Sequence, residues 1–422
     1  MATHHDVACT VCGCVCDDLS LTFHGDQLTA ADRACELARP WLFSLNDARP
    51  PVARIHGQEA ALDEAVKQAA AILRDSRAPL IYGLSRSSTP GQRAAVSLAD
   101  RLGAVIDTTA SIGHGPSIMA IQQVGESTST LGEVAQRSDL VIFWGANPAV
   151  THPRHFERYS LEPNSVHLPN GRADRHVVVI DVKPTATTEI ADEVLLVRPG
   201  SDFEMIAALR MLLRDPAASP QVDCGIPLDQ LRSLADRMKN CRYGAVFFGL
   251  GLALPVLGHV NVQALLELVA ELNDTTRFIA RRLRISGDVS GADSVLCWQT
   301  GFPFGVDLSR GYPRYNPGEY TIDDLLKHGE VDSCLVVGSR NLPTLSEPAR
   351  ASLGRLPVIV LDSPNTPPPI VTPAIQFTTA VYGIHAAGTA YRMDEVPIPL
   401  RKLIDSPYPT DGEILHQIAA RL

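Results

Sequence analysis

The stretch ACTVCGCVCDDLS places four cysteines, Cys9, Cys12, Cys14 and Cys16, within eight positions. A fifth, Cys35, follows after eighteen residues. The spacing Cys9-x2-Cys12-x3-Cys16 with one remote thiol suits a cubane iron–sulfur cluster, whose irons take thiolates from a tight loop and a distant position. The same four thiolates can hold tetrahedral zinc, although zinc ribbons usually offer two C-x2-C pairs and this chain has one. Free thiols on a loop are the third reading. Cys14, between two ligand positions, is expected to be the spare thiol, pointing away from the site.

Other residues carry potential chemistry. In TTASIGHGPSIMA, residues 108–120, a turn enters a helix. His114, between glycines, could move protons near neutral pH or be a hydrogen-bonded structural residue. Arg284, Arg310 and Arg314 lie in a long segment rich in Arg, Gly, Pro and Tyr. They could clamp an anion through paired donors, or the segment could be an ordered loop packed by its aromatics. After a strand, Asp181 could take a ribose hydroxyl and Lys183 a phosphate, or the turn could be one that any doubly wound fold needs. His152 and His155 are too close for an i,i+4 metal pair and are expected on a surface loop.

These residues need a scaffold, and the pattern around them supplies one. DLSLTFHGDQLTAAD alternates with a period of two around Gly25-Asp26, which predicts a hairpin. ARPPVARIHG, residues 48–57, reads as a linker. From there strands and helices alternate. LDEAVKQAAAILRD and TPGQRAAVSLADRLG are helical, the second with Pro90 at its start and Gly103 at its end. APLIYGL, SDLVIFWGANP and RLPVIVLDSP are apolar runs fit for buried parallel strands. Such alternation predicts doubly wound α/β units with right-handed crossovers, binding ligands at the carboxyl ends of their strands. The expected division is a small Cys-rich domain over 1–55, an α/β domain over 56–137 with 288–422, and a Rossmann-like domain over 138–287.

Composition narrows the function class. The chain has 422 residues, a net charge of −10 and 45% apolar residues, an ordinary globular make-up. No Lys/Arg-rich run marks a nucleic-acid partner. No secretory leader and no membrane span of about 18 apolar residues is expected, so a cytoplasmic location is. Cys224, Cys241, Cys297 and Cys334 are scattered in apolar contexts and read as small buried hydrophobes.

The order of the pieces is distinctive. A cysteine loop, then DTTASIGHGPS, SDLVIFWGANPAVTHPRHFERYS, VVVIDVKPTATTEIAD, SGDVSGAD and TGFPFGVDLSRGYPRYNPGE, resembles the B subunit of formylmethanofuran dehydrogenase over nearly the whole chain. The resemblance implies a multi-domain fold like the molybdopterin oxidoreductases, with formate dehydrogenase-like domains and no C-terminal pterin-binding barrel. In that family the subunit reduces carbon dioxide to formate at tungsten or molybdenum held by pterin dithiolenes, with a 4Fe-4S cluster feeding electrons. The resemblance puts the cluster (or zinc) ligands on Cys9, Cys12, Cys16 and Cys35, the family's histidine on His114 and its arginine on Arg284.

One position departs from the family. A Cys or selenocysteine that ligates the metal precedes the His-Gly-Pro turn, and here Gly113 stands in its place. Glycine has no donor atom, and a soft metal site needs a soft ligand. Two-electron carbon dioxide chemistry belongs to the cofactor, which a polypeptide cannot replace. Molybdopterin or tungstopterin is therefore expected to be absent, with His114 and Arg284 left as relics. The departure is similar to the homologous subunit of the formyltransferase/hydrolase complex of one-carbon metabolism. That complex passes a formyl group from tetrahydromethanopterin to a methanofuran-type carrier and hydrolyses it to formate. The likeness implies a non-redox scaffold without activity of its own. Its partners would be amidohydrolase-like, formyltransferase and C-type subunits. The alternative is an active molybdenum- or tungsten-pterin subunit.

Overall fold

The computed structural model describes residues 1–285 and 287–422. They form two compact units, 1–112 with 286–422 and 113–285. The chain thus passes from one to the other between Ile112 and Gly113 and returns after Ile285.

The first unit begins with a three-stranded antiparallel sheet, Ala2–Val7, Leu19–His24 and Gln27–Asp32. The hairpin turns at Gly25, whose φ of +64° lies in the left-handed region that glycine enters without penalty. A nine-stranded sheet follows. Its centre is five parallel strands in the order Val105–Thr108, Pro79–Gly83, Ser333–Val337, Val358–Asp362 and Ile375–Thr378. Every residue of Pro79–Gly83, Ser333–Val337 and Val358–Asp362 is buried, as a parallel strand covered on both faces requires. Leu62–Asp75, Thr89–Leu102 and Asp411–Ala419 send apolar side chains into a core with Ile81, Leu335 and Ile359. Ile322–His328 and Glu347–Leu353 pack with Leu80, Val336 and Val360, the alternate residues facing the other side. Helices on both faces make the unit doubly wound. Residues 53–55, expected as linker, form a short strand that closes one edge by pairing antiparallel with Ile375–Thr378, and residues 58–59 pair back onto it.

The second unit is a five-stranded parallel sheet in the order Glu193–Leu196, His176–Asp181, Leu140–Trp144, Tyr243–Phe248 and Arg277–Arg282. One face is covered by Asp202–Arg214, Leu228–Asn240 and Gly258–Leu272, which share a single core with Ile142, Val178 and Val246. Residues 113–137 cluster with this unit. The reason is packing: the helix Gly115–Val124 lies against Gly258–Leu272 and buries Ala120 in the same core. Among the described residues no helix is long and apolar enough to cross a membrane.

Candidate functional site

The cysteine loop closes on itself. The Cys9 amide donates to the Cys16 carbonyl at 2.7 Å and the Val15 amide to that of Cys12 at 3.2 Å. Val15 holds a φ of 38°, costly for a β-branched residue. Its fully buried side chain packs with Tyr382 and Leu400, which holds it there. Three more contacts tie the loop to the rest of its unit: Gly287 N–H to Val11 O at 3.3 Å, Met393 N–H to Gly13 O at 2.8 Å, and Arg86 Nη1 to Thr10 O at 3.3 Å.

This backbone brings five thiols together. Cys9, Cys12, Cys14 and Cys16 are buried and Cys35 is half-buried. Burial raises the Cys9 thiol, and the neighbouring Cys12, Cys16 and Cys35 add to it. Burial likewise raises Cys35, with Cys12 and Cys16 contributing. Amide N–H groups already point at sulfur: Val11 at Cys9, Cys14 at Cys12, and Leu37 and Ala38 at Cys35. Such donors favour the thiolate. Cys14 does not point away. Its thiol hydrogen-bonds with Cys12 and Cys16, because a loop closed this tightly leaves it 1% exposed with nowhere outward to turn. Among the described residues no group of three or more His, Cys, Asp or Glu side chains stands ready-made for a metal ion. The donor chemistry nevertheless fits one: sulfur ligands with amide donors in place, suited to an iron–sulfur cluster or zinc.

Beside the loop, in the same unit, lies a cavity of about 40 Å³ at the carboxyl ends of three parallel strands. Arg86, Arg340, Asp362, Ser363 and Thr379 line it. Burial and the neighbouring Arg340 push the Arg86 guanidinium down to about 10. Gly338, at φ +86°, lets Arg86 lie against the strand end, since a Cβ there would come within 3.1 Å of the arginine's own Cβ. Leu84 is left-handed at φ 72° and its amide is held by the Val337 carbonyl at 2.9 Å. Two guanidinium groups at strand ends can receive an anion. The sequence reading missed both; Arg86, three residues past the strand-ending Gly83, was the available signal.

In the second unit His114 precedes the helix Gly115–Val124. Its Nε2 stands 3.2 Å from the Leu283 carbonyl and its Nδ1 3.0 Å from Ser117 Oγ. A carbonyl only accepts, so Nε2 carries the proton and Nδ1 accepts from the serine hydroxyl. Burial, then Arg284 and Arg282, push His114 down to about 3. It is neutral at pH 7 with both nitrogens engaged. The structure thus brings His114 and Arg284 into each other's field, with half-buried Gly113 adjoining.

The remaining sequence candidates resolve individually. His152 and His155 are not on a surface loop: both are fully buried. His152 Nε2 donates to the Arg284 carbonyl at 2.8 Å, and His155 stands edge-on to Phe247 at 4.7 Å, walled by Phe143, Phe156 and Tyr159. The aromatics of FERYS and the strands draw them in. Arg314 is paired with Asp307, and Arg310 is exposed. Phe302 stacks on Tyr315 at 4.9 Å, so that segment is packed by its aromatics. Asp181 is half-buried, and burial raises it. Cys224 and Cys334 are buried, but Cys297 is exposed.

Comparison with known proteins places this arrangement. The chain is 37% identical over 409 residues to the B subunit of the tungsten-containing formylmethanofuran dehydrogenase 2 of Methanocaldococcus jannaschii, covering 95% of this chain and 94% of that one. It belongs to the family of formylmethanofuran dehydrogenase B subunits. The corresponding B subunit of Methanococcus maripaludis, likewise of a tungsten-containing formylmethanofuran dehydrogenase 2, is 34% identical, covering 100% of this chain and 99% of its own. The B subunit of the Methylorubrum extorquens formyltransferase/hydrolase complex is 26% identical over 68% of this chain and 75% of its own. Among solved structures, that organism's complex with methylofuran contains a chain that superposes with a TM-score of 0.70 at 23% identity, covering 87% of this chain and 98% of that one. Acetylene hydratase from Pelobacter acetylenicus gives 0.67 at 9% identity, covering 99% of this chain and 69% of the hydratase. Both show the fold alone. No family model matches. Against the tungsten-pterin group that this family implies, the position before His114 does not fit: Gly113 has no sulfur or selenium to offer.

Proposed function

We propose that this chain is the redox-silent B subunit of a formyltransferase/hydrolase complex. It serves as a scaffold for subunits that carry a formyl group from formyl-tetrahydromethanopterin, by way of a methanofuran-type carrier, to formate. The partners in this reading are an amidohydrolase-like subunit, a formyltransferase and a C-type subunit. The observation that carries it is Gly113, where a redox metal would need a soft donor. His114 supports it: the proton on Nε2 is committed to the Leu283 carbonyl and the ring is neutral at pH 7. In this reading the thiols of Cys9, Cys12, Cys16 and Cys35 hold a 4Fe-4S cluster or zinc whose role is structural, the pterin-clamping barrel is absent, and the complex works in the cytoplasm.

The second reading is an active tungsten- or molybdenum-pterin subunit. The higher identity to the two tungsten-containing relatives, 37% and 34% against 26%, favours it. Elemental analysis of the purified assembled complex separates the two. Tungsten and molybdenum well below one atom per chain, with no dye reduction by formyl carrier, is the expected result. Stoichiometric metal with extractable pterin would establish the second reading instead.

A further inference from the structure

Where residues 23–49 meet residues 364–408, the first unit holds a second cavity of about 110 Å³, open to solvent on one side. That is close to the scale, about 150 Å³, at which an apolar cavity admits a benzene ring. We propose that it is a binding site for a compact apolar carboxylate, whose ring or branched chain rests on Phe23, Leu28, Leu42 and Ile384 and whose carboxylate meets the Arg49 guanidinium and the Nε2–H of His385.

The lining divides by character. Phe23, Leu28, Leu42 and Ile384 are 4%, 4%, 2% and 3% exposed and form an apolar wall. The acceptors around it are already matched: Asp26 takes Arg49 Nη2 at 3.1 Å, and Asp405 takes Lys402 Nζ at 2.6 Å. The Asn46 carboxamide closes on the Leu28 amide and carbonyl at 2.8 and 2.9 Å, and the Tyr408 hydroxyl donates to the Pro50 carbonyl at 2.7 Å. What remains is donors. His385 Nδ1 accepts from the Val381 amide at 3.2 Å, which puts the ring proton on Nε2. Nε2 has no partner among the described residues. Burial, then Arg49, holds this imidazole down to about 4, so the donor is present and uncharged at pH 7. Arg49 commits Nη1 to the Leu45 and Ala48 carbonyls and one Nη2–H to Asp26. Its Nε–H and second Nη2–H are left over. A ligand that fits brings an acceptor for these donors and an apolar body for the wall, which a carboxylate on a small ring does and a bare phosphate does not. The wall is held by the chain's own hydrogen bonds, so little ordering opposes binding. None of these groups belongs to the thiol site or to the Gly113 turn, so the site stands under either reading of the complex.

The test titrates the full chain with benzoate, with benzyl alcohol as the probe lacking the charge and inorganic phosphate as the probe lacking the ring, each followed by ligand-observed NMR. Benzoate is expected to bind about tenfold tighter than benzyl alcohol, the scale of a charge-assisted hydrogen bond, and phosphate should not displace it. Arg49→Met should weaken benzoate about tenfold and leave benzyl alcohol unchanged. So should His385→Asn, whose side-chain oxygen replaces Nδ1 toward Val381 but which has no distal donor. Ala48→Phe, which fills the cavity from its rim, should abolish binding of both, with melting curves confirming that the variants fold. The comparison of benzoate with benzyl alcohol needs no variant at all. Absence of benzoate binding at millimolar concentrations overturns the proposal. Equal affinity for benzoate and benzyl alcohol does so too, as does benzoate binding that survives in folded Ala48→Phe, which would place the ligand elsewhere.

Discussion

A proton bound to a carbonyl is a proton withheld from chemistry, and His114 shows the case. Its Nε2–H faces the Leu283 carbonyl and its Nδ1 faces Ser117. Asn can reproduce one of these contacts. His114→Asn should therefore lower the melting temperature while the assembled complex releases formate within about twofold of the wild-type rate. A fall of about a hundredfold, the scale on which a general acid–base residue acts, would show that the imidazole still works. Single residues were also where the sequence was least readable. The spacing of Cys9, Cys12 and Cys16 is visible in the string, but the inward turn of Cys14 follows from hydrogen bonds to Gly13 and Val15 that join distant or strained backbone. His152 and His155 carry no periodic signal; His155 is enclosed by Phe143 and by Phe247, a strand residue far along the chain, and His152 is tied to the equally distant Arg284 carbonyl.

The elements were more legible. Hairpin, helix and strand follow from local pattern: alternation around Gly25, Pro90 and Gly103 bracketing Thr89–Leu102, and apolar runs that became Pro79–Gly83, Leu140–Trp144 and Val358–Asp362. What escaped was the edge strand 53–55, whose pairing depends on a partner some 320 positions away (Ala53 with Phe377) and leaves no period to detect. Loops that hold the thiol site depend on equally remote contacts. Gly287, at φ +36°, sits so close to its neighbours that a Cβ would come within 2.4 Å of the Ser85 carbonyl and 3.1 Å of that of Thr10. Gly287→Ala must displace the Ser85 carbonyl and crowd the cysteine loop at Thr10. A loss of about 1–3 kcal/mol in folding stability is expected, with faster escape of bound metal, read by calorimetry and a chromophoric chelator. A variant that melts and retains metal like the wild type would mean that the loop tolerates the shift.

At the scale of the molecule, the two units respond to acid in opposite senses. In the second unit, burial first of all holds His114, His152 and His155 down to about 3, 4 and 3. The unfolded histidines, at about 6.5, bind protons that the folded unit refuses. Their contribution is therefore full above pH 6.5 and drains away toward pH 3–4. At pH 5 the loss is about 2 kcal/mol for each, on the order of 6 in total, comparable to the whole stability of a typical domain. In the first unit burial holds His385 down to about 4, a loss of the same kind, but it raises Asp107 and Asp288 to about 7, so folding takes up protons at two groups against one and acid down to about pH 4 strengthens it on balance. Urea titrations at pH 7.5 and 5.0, followed by hydrogen exchange, should find residues 113–285 opening first in acid. Simultaneous opening of both units at pH 5 would contradict this assignment. The pattern of α/β alternation announced the parallel sheets and put the return within two residues of where it falls, but the entry at Gly113, ahead of the expected 138, was not written in any local signal, because it rests on the packing of Gly115–Val124 against Gly258–Leu272.

The ends of residues 113–285 are laced together by the contact of His114, next to the start, with Leu283, just past the last strand, at 3.2 Å. A segment that enters and leaves by the same door behaves like a cassette. Evolution can remodel, exchange or silence what lies inside it by mending two neighbouring joints, without rethreading the sheet that hosts it.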